Sequence, residues 1–169
     1  SQAPTHHLLS SLWMVFSAAM TGAAFSLARV SGAGPFLSAV ASLAVGLGFW
    51  TVMIRDADAL SNLQSNAILM ALLALRVIGM RSPKISWTIN VASGLMLAAF
   101  ISAYSELTPL VVGVLVVEAA VRLLDTGRRW QGAAAVSVTL GVGLLAILAS
   151  GQAPYLLHLV IRQLGIATT

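Results

Sequence analysis

One acidic residue, Glu118, stands inside one of the most apolar stretches of the chain. Two valines precede it, two alanines follow it, and the nearest cation along the sequence is Arg122, four residues on. A carboxylate in such surroundings is costly to bury and is by default a functional-site hypothesis. In a helix, residues four apart share one face, and a Glu that precedes an Arg forms a favourable pair. The pattern leaves open a structural ion pair, a role in handling protons, cations or a cationic solute, and a contact with a partner subunit.

Three further polar residues lie within other apolar stretches. Arg76 sits near the end of the third stretch, at a predicted depth similar to that of Glu118, and can pair with it across helices. Asn90 and Ser93 lie in the fourth stretch, where they either hydrogen-bond a neighbouring helix or line a polar cavity. Together with Glu118 and Arg122, these residues form the predicted polar pathway of a transport protein.

Other kinds of chemistry lack the residues they need. The chain contains no cysteine, and its three histidines, His6, His7 and His158, all lie outside the long apolar stretches. Haem and metal sites in helix bundles draw on such side chains, so we expect no cofactor and no metal. The stretches also offer no His base for a nucleophile, and the chain has no phosphate-binding loop. We therefore expect the protein not to be an enzyme.

The composition indicates whether water or lipid surrounds most of the chain. Of 169 residues, 59% are hydrophobic and only 8% are charged, against about 25% charged in an average soluble domain. The mean hydropathy is +0.94. These values exclude a soluble globular domain and a disordered chain. The net charge of +4 arises from few charges without a basic stripe, so we expect no nucleic-acid partner. A polytopic membrane protein remains.

Six apolar stretches have the length that a bilayer core requires, about 20 residues for roughly 30 Å. A lipid-exposed segment must satisfy its own backbone hydrogen bonds, so each is predicted to be a helix. The predicted fold is all-α, a single integral domain with a bundle of six transmembrane spans at residues 8–28, 35–54, 62–80, 85–104, 107–124 and 132–149. Residues 154–167 form a short amphipathic helix at the interface, with a tilted seventh span as the alternative.

The positive charges fall unevenly between the predicted loops. Seven of the nine cations lie at the ends of helices 1, 3 and 5 or in the loops that follow them, one lies on the other side, and Arg162 is undecided. The side rich in cations is cytoplasmic by the positive-inside rule. We therefore expect the N-terminus outside, the loops at 29–34, 81–84 and 125–131 inside, and a bacterial inner membrane as the location.

Small residues recur at four-residue spacing in four of the predicted helices. Such stripes let helix backbones approach closely where lipid removes the hydrophobic drive for association. They either pack the bundle internally or form a face for oligomerisation or a partner subunit. The stripes are Ala18, Gly22, Ser26; Ser38, Ser42, Gly46; Asn90, Gly94, Ala98; and Ala133, Ser137, Gly141, the last with Thr139 and Gly143 beside it.

These features lead to two functional hypotheses. In the first, the protein transports a small solute or ion along a route lined by the polar residues named above. In the second, it is a non-catalytic accessory or scaffolding subunit of a larger membrane complex. The buried glutamate favours transport, whereas the sparse polarity within the spans favours scaffolding. The expected partners are the lipid bilayer and either further copies of this chain or other membrane subunits.

Overall fold

A computed structural model describes residues 3–48, 60–82, 84–104, 108–124 and 129–163. In these ranges the regular structure is entirely α-helical, which confirms the all-α prediction. The seven helices are α1 (Ala3–Val30), α2 (Pro35–Gly46), α3 (Leu60–Arg81), α4 (Trp87–Ala103), α5 (Thr108–Leu124), α6 (Arg129–Ala149) and α7 (Ala153–Gln163). The packing divides the chain into two compact units, Ser1–Ile89 and Asn90–Thr169.

In the first unit, α1 packs against both α2 and α3. Met20 and Ala67 are buried where α1 meets α3, and Trp13, Phe16 and Met70 pack against them. Since these side chains recur every three or four residues, one face of each helix supplies them.

A glycine turn connects α1 to α2. The N–H of Gly32 donates to the carbonyl of Arg29, and the N–H of Ala33 donates to that of Ala28. This pair of bonds is the Schellman motif, which needs a left-handed residue just beyond the helix, and Gly32 has a φ of 103°. Pro35 then opens α2, where its missing N–H is of no consequence. The turn brings α2 back along α1.

Helix α2 is shorter than predicted. It ends at Gly46, and Leu47 caps it by donating its N–H to the carbonyl of Leu43. The prediction of one helix over residues 35–54 is therefore wrong at residues 47 and 48, and residues 49–54 lie outside the described ranges. Glycine loses more conformational freedom in a helix than any other residue, and Gly46 and Gly48 flank the stop. The described α2 is about 18 Å long.

The second unit contains nearly all of α4, and α5, α6 and α7. Helix α5 packs against α6. Helix α4 approaches α6 at two glycines: a Cβ atom at Gly94 would lie 2.7 Å from the carbonyl oxygen of Thr139, and one at Gly143 would lie 3.2 Å from the carbonyl oxygen of Gly94. The two backbones can be this close because neither glycine carries a side chain.

Two of the four small-residue stripes pack inside the units, in agreement with the first of the two alternatives. Ser38 and Ser42 of α2 are buried, and a Cβ atom at Gly46 would meet Thr21 of α1. The buried serines donate to carbonyl oxygens of their own helix, Gly34 and Ala39, at 2.9 Å each. The α4 stripe is buried as well and packs against α6.

The other two stripes lie largely on the surface of the units, where the alternative of a face for association stays open. A Cβ atom at Gly22 or Gly141 would meet nothing within 4 Å. On α6 the chain buries Thr139 and Gly143, which lie on the side of the helix opposite to Ser137 and Gly141. The exposed members are Ala18, Gly22, Ser26, Ser137 and Gly141.

Many large apolar side chains are exposed, whereas several polar or charged ones are buried. Exposed large apolar side chains occur on all seven helices, and on α3 they include Ile78 and Met80 near its end. Two stretches within the described residues, Ser11–Val30 of α1 and Trp130–Ala149 of α6, are long and apolar enough to cross a membrane. The buried polar residues are Ser38, Ser42, Ser65, Arg76, Asn90, Ser93, Glu118 and Thr139.

Candidate functional site

Helix α5 turns its charged residues inward. Val111, Leu115 and Glu118 are buried at successive turns, and Arg122 continues the same stripe with a half-buried side chain. The spacing of four, three and four residues keeps all of them on one face. The valines between them are exposed. The glutamate therefore occupies a position that its helix otherwise uses for apolar packing.

The structure brings Glu118 and Arg122 together as an ion pair. Nη2 of Arg122 lies 2.8 Å from Oε1 of Glu118, and the two side chains keep only 16% and 5% of their exposure, respectively. Nε and Nη2 of Arg122 are buried, yet neither donates a hydrogen bond of acceptable geometry. The 2.8 Å contact is thus a close approach of opposite charges rather than an aligned hydrogen bond. The guanidinium is neutralised but not fully bonded.

Gly132 of α6 makes room for this arginine. A Cβ atom at Gly132 would overlap the stem of Arg122: it would clash with Cβ and lie 2.8 Å from Cδ and 3.1 Å from Cγ. The aliphatic stem of Arg122 therefore crosses the bare backbone of the first turn of α6. Gly132 is not among the site residues predicted from the sequence. The available signal was a glycine at the start of a helix that follows an arginine-bearing helix end.

Asn90 and Ser93 lie at a second polar position, where α4 meets α6. Thr139 donates from its hydroxyl to the carbonyl of Ala135 at 2.9 Å and approaches the carbonyl of Asn90 at 3.5 Å. The Ser93 side chain is fully buried, and its hydroxyl has no hydrogen-bond partner. The contact uses the backbone carbonyl of Asn90 rather than its side chain, so hydrogen bonding of the Asn90 and Ser93 side chains to a neighbouring helix stays a prediction. Thr139 lies seven residues beyond Gly132, about 10 Å along α6.

Arg76 is buried in α3. It belongs to the first unit, whereas the other four predicted pathway residues belong to the second, and its pairing with Glu118 stays a prediction. In the part of the chain that the structure describes, no three His, Asp or Glu side chains gather as metal ligands. The predicted site therefore resolves into the ion pair of α5 and the polar contact between α4 and α6.

Comparison with known proteins found no match among family models, curated proteins or solved structures. Function must then be argued from the chemistry of the site. That chemistry is a carboxylate held in an apolar helix beside a guanidinium with buried donors that lack acceptors. Such a pair can bind a charged group or exchange one cation for another.

Proposed function

We propose that the protein is an integral membrane protein that crosses the bilayer six times, with its N-terminus outside. The exposed apolar side chains and buried polar ones support a lipid environment, because hydrocarbon does not penalise surface Leu, Val and Phe. Helices α3, α4 and α5 have 22, 17 and 17 residues, within the range of spanning helices. Helix α7 would then lie at the interface, with Tyr155 and Leu157 on its exposed surface.

The topology can be tested with single cysteines, because the chain has none of its own. Ser31 and Ser150 are exposed turn residues, on the predicted inner and outer sides. A membrane-impermeant maleimide should label Ser150→Cys in intact cells and Ser31→Cys only after permeabilisation. The cysteine-free parent serves as the control. Labelling of both variants from the same side of a sealed membrane contradicts the six-span topology.

We further propose that the protein transports a small solute or ion and that Glu118 is the residue on which transport depends. The supporting observation is the burial of the Glu118–Arg122 pair. Removing an ion from water costs on the order of several kcal/mol. An ion pair recovers this free energy only with good geometry and additional hydrogen bonds. Arg122 has two buried nitrogens without such bonds. A pair within one helix contributes only about 0.2–0.5 kcal/mol to that helix. Stability therefore gives a poor reason for placing the pair there.

Flux measurements in proteoliposomes test this proposal. Proton uptake is read with an enclosed pH-sensitive dye and potassium uptake with a potassium-sensitive dye. We expect Glu118→Gln to reduce the active flux to that of empty liposomes. Glu106→Gln, the same chemical change in a predicted outer loop, is the matched control and should leave the flux unchanged. Equal flux in the Glu118→Gln variant and the parent contradicts a role for the carboxylate.

A second function, an accessory subunit without transport activity, is favoured by a different observation. The small residues Gly22 and Gly141 lie on the surface with open space where a side chain would be. Close helix approach at such residues drives association in lipid, and a lipid-facing helix does not otherwise need them. Purification from the native membrane without crosslinking distinguishes the two functions. A stoichiometric partner that is lost with Gly141→Leu, together with no flux in the parent, supports the accessory subunit.

A further inference from the structure

The carboxylate of Glu118 already holds a cation that belongs to the chain itself. The guanidinium of Arg122 lies 2.8 Å from Oε1, inside a site where Glu118 is 5% exposed. The site therefore accepts a planar, monovalent nitrogen cation. A protein that binds an external cation at this carboxylate must first remove the internal one.

The incomplete hydrogen bonding of Arg122 favours its displacement from Glu118. A guanidinium carries five N–H donors, and here Nε and Nη2 are buried without a hydrogen-bond acceptor. Buried donors that lack acceptors raise the free energy of the paired state. Water or lipid phosphate would accept hydrogen bonds from these donors. A conformation of Arg122 that reaches the membrane surface therefore competes with the conformation that is paired with Glu118.

Arg122 is also placed to reach that surface. It lies two residues before Leu124, where α5 ends, which is a rise of about 3 Å. Long basic side chains near helix ends extend along the helix until the charged head group meets the interface. Glu118, four residues deeper, has a shorter side chain and stays in the interior.

We propose that Glu118 binds an external guanidinium-type cation and that Arg122 is the internal group which this ligand displaces. This inference rests on the transport function and names the chemical class of its solute. The ligand would donate N–H groups to the carboxylate in the place of Arg122, whose head group moves to the predicted cytoplasmic interface. Arg122 is then a competitor of the ligand and Glu118 its receptor.

Equilibrium binding of methylguanidinium to the purified full chain in detergent, measured by calorimetry, tests the inference. Sodium chloride at equal ionic strength is the control. We expect the Arg122→Ala variant to bind methylguanidinium at least about tenfold more tightly than the parent does. This factor applies if Arg122 occupies the site in about nine parent molecules of ten, because only the remaining tenth can bind the ligand. Glu118→Gln and the double variant should show no saturable binding. Arg122→Lys keeps the charge and the fold, and its poorer match to the carboxylate should give an intermediate affinity.

Binding to Arg122→Lys that is no tighter than binding to the parent overturns the inference, as does methylguanidinium binding that survives Glu118→Gln. The outcome is separable from that of the transport proposal. If flux requires Glu118 but both Arg122 variants abolish it, transport stands and displacement is wrong. If binding follows the expected order but proteoliposomes take up no methylguanidinium, the binding site stands and transport is wrong.

Discussion

The crossing of α4 and α6 gives the sharpest stability prediction, the replacement of Gly94 by alanine. The new Cβ atom would lie 2.7 Å from the carbonyl oxygen of Thr139 and 2.7 Å from Cβ of Val142, whereas carbon atoms in contact prefer about 3.5–4.0 Å. Neither atom can rotate away, because one belongs to the backbone and the other is joined directly to it. The helices must therefore separate by roughly 0.8 Å, the shortfall from the lower limit of that range.

Separation of the two helices should lower the stability of the protein by a measurable amount. Overpacking of a close contact costs about 1–3 kcal/mol. The approach of the Thr139 hydroxyl to the Asn90 carbonyl, already 3.5 Å, would exceed hydrogen-bonding distance. Alanine favours helix over glycine by up to about 1 kcal/mol, which offsets part of this. We expect a net decrease of about 1–2 kcal/mol in the free energy of unfolding, measured by titrating mixed micelles with a denaturing detergent and following the helical circular dichroism signal.

Gly141→Ala is the matched control on α6, because it makes the same chemical change where a Cβ atom meets nothing within 4 Å. Only the gain in helix propensity applies there, so stability should stay the same or rise by up to about 1 kcal/mol. Unfolding of the Gly94 and Gly141 variants at the same detergent fraction contradicts a steric conflict at Gly94. A Gly141→Ala variant that is the less stable of the two in the monomeric state contradicts it equally.

Two further replacements test the first unit by the same unfolding measurement. Gly32→Ala places a side chain at a φ of 103° and should lower the free energy of unfolding by about 1–2 kcal/mol. Gly34→Ala is the control, because its φ is −63°, and it should change stability little. Equal effects of the two variants contradict the role of the left-handed turn. Gly46→Ala would meet the hydroxyl of Thr21, which donates to the carbonyl of Ser17 at 2.8 Å, and should cost about 0.5–1.5 kcal/mol. Adding Thr21→Ala should recover most of the lost stability. If the effects of the two replacements on the free energy of unfolding are purely additive, the contact between residues 46 and 21 is contradicted.

Local sequence was sufficient for the parts of the site that lie on one helix. Glu118 and Arg122 are four residues apart in an apolar helix, and the helical repeat alone brings them to one face. Gly132 could not be found in this way. Its role depends on which turn of α6 lies opposite Arg122, and that is set by the packing of two helices rather than by the repeat of either.

The sequence by itself determined that this chain is helical and that apolar side chains dominate it, because composition and the need to satisfy backbone hydrogen bonds act locally. The tertiary structure decided which stripe of each helix is buried. On α6, Ser137 and Gly141 alternate with Thr139 and Gly143 at a spacing of two residues, so the two stripes lie about 200° apart on the helix. Both are small, and neither is distinguished from the other by hydrophobicity. Only the position of α4 buries Thr139 and Gly143 and leaves Gly141 on the surface.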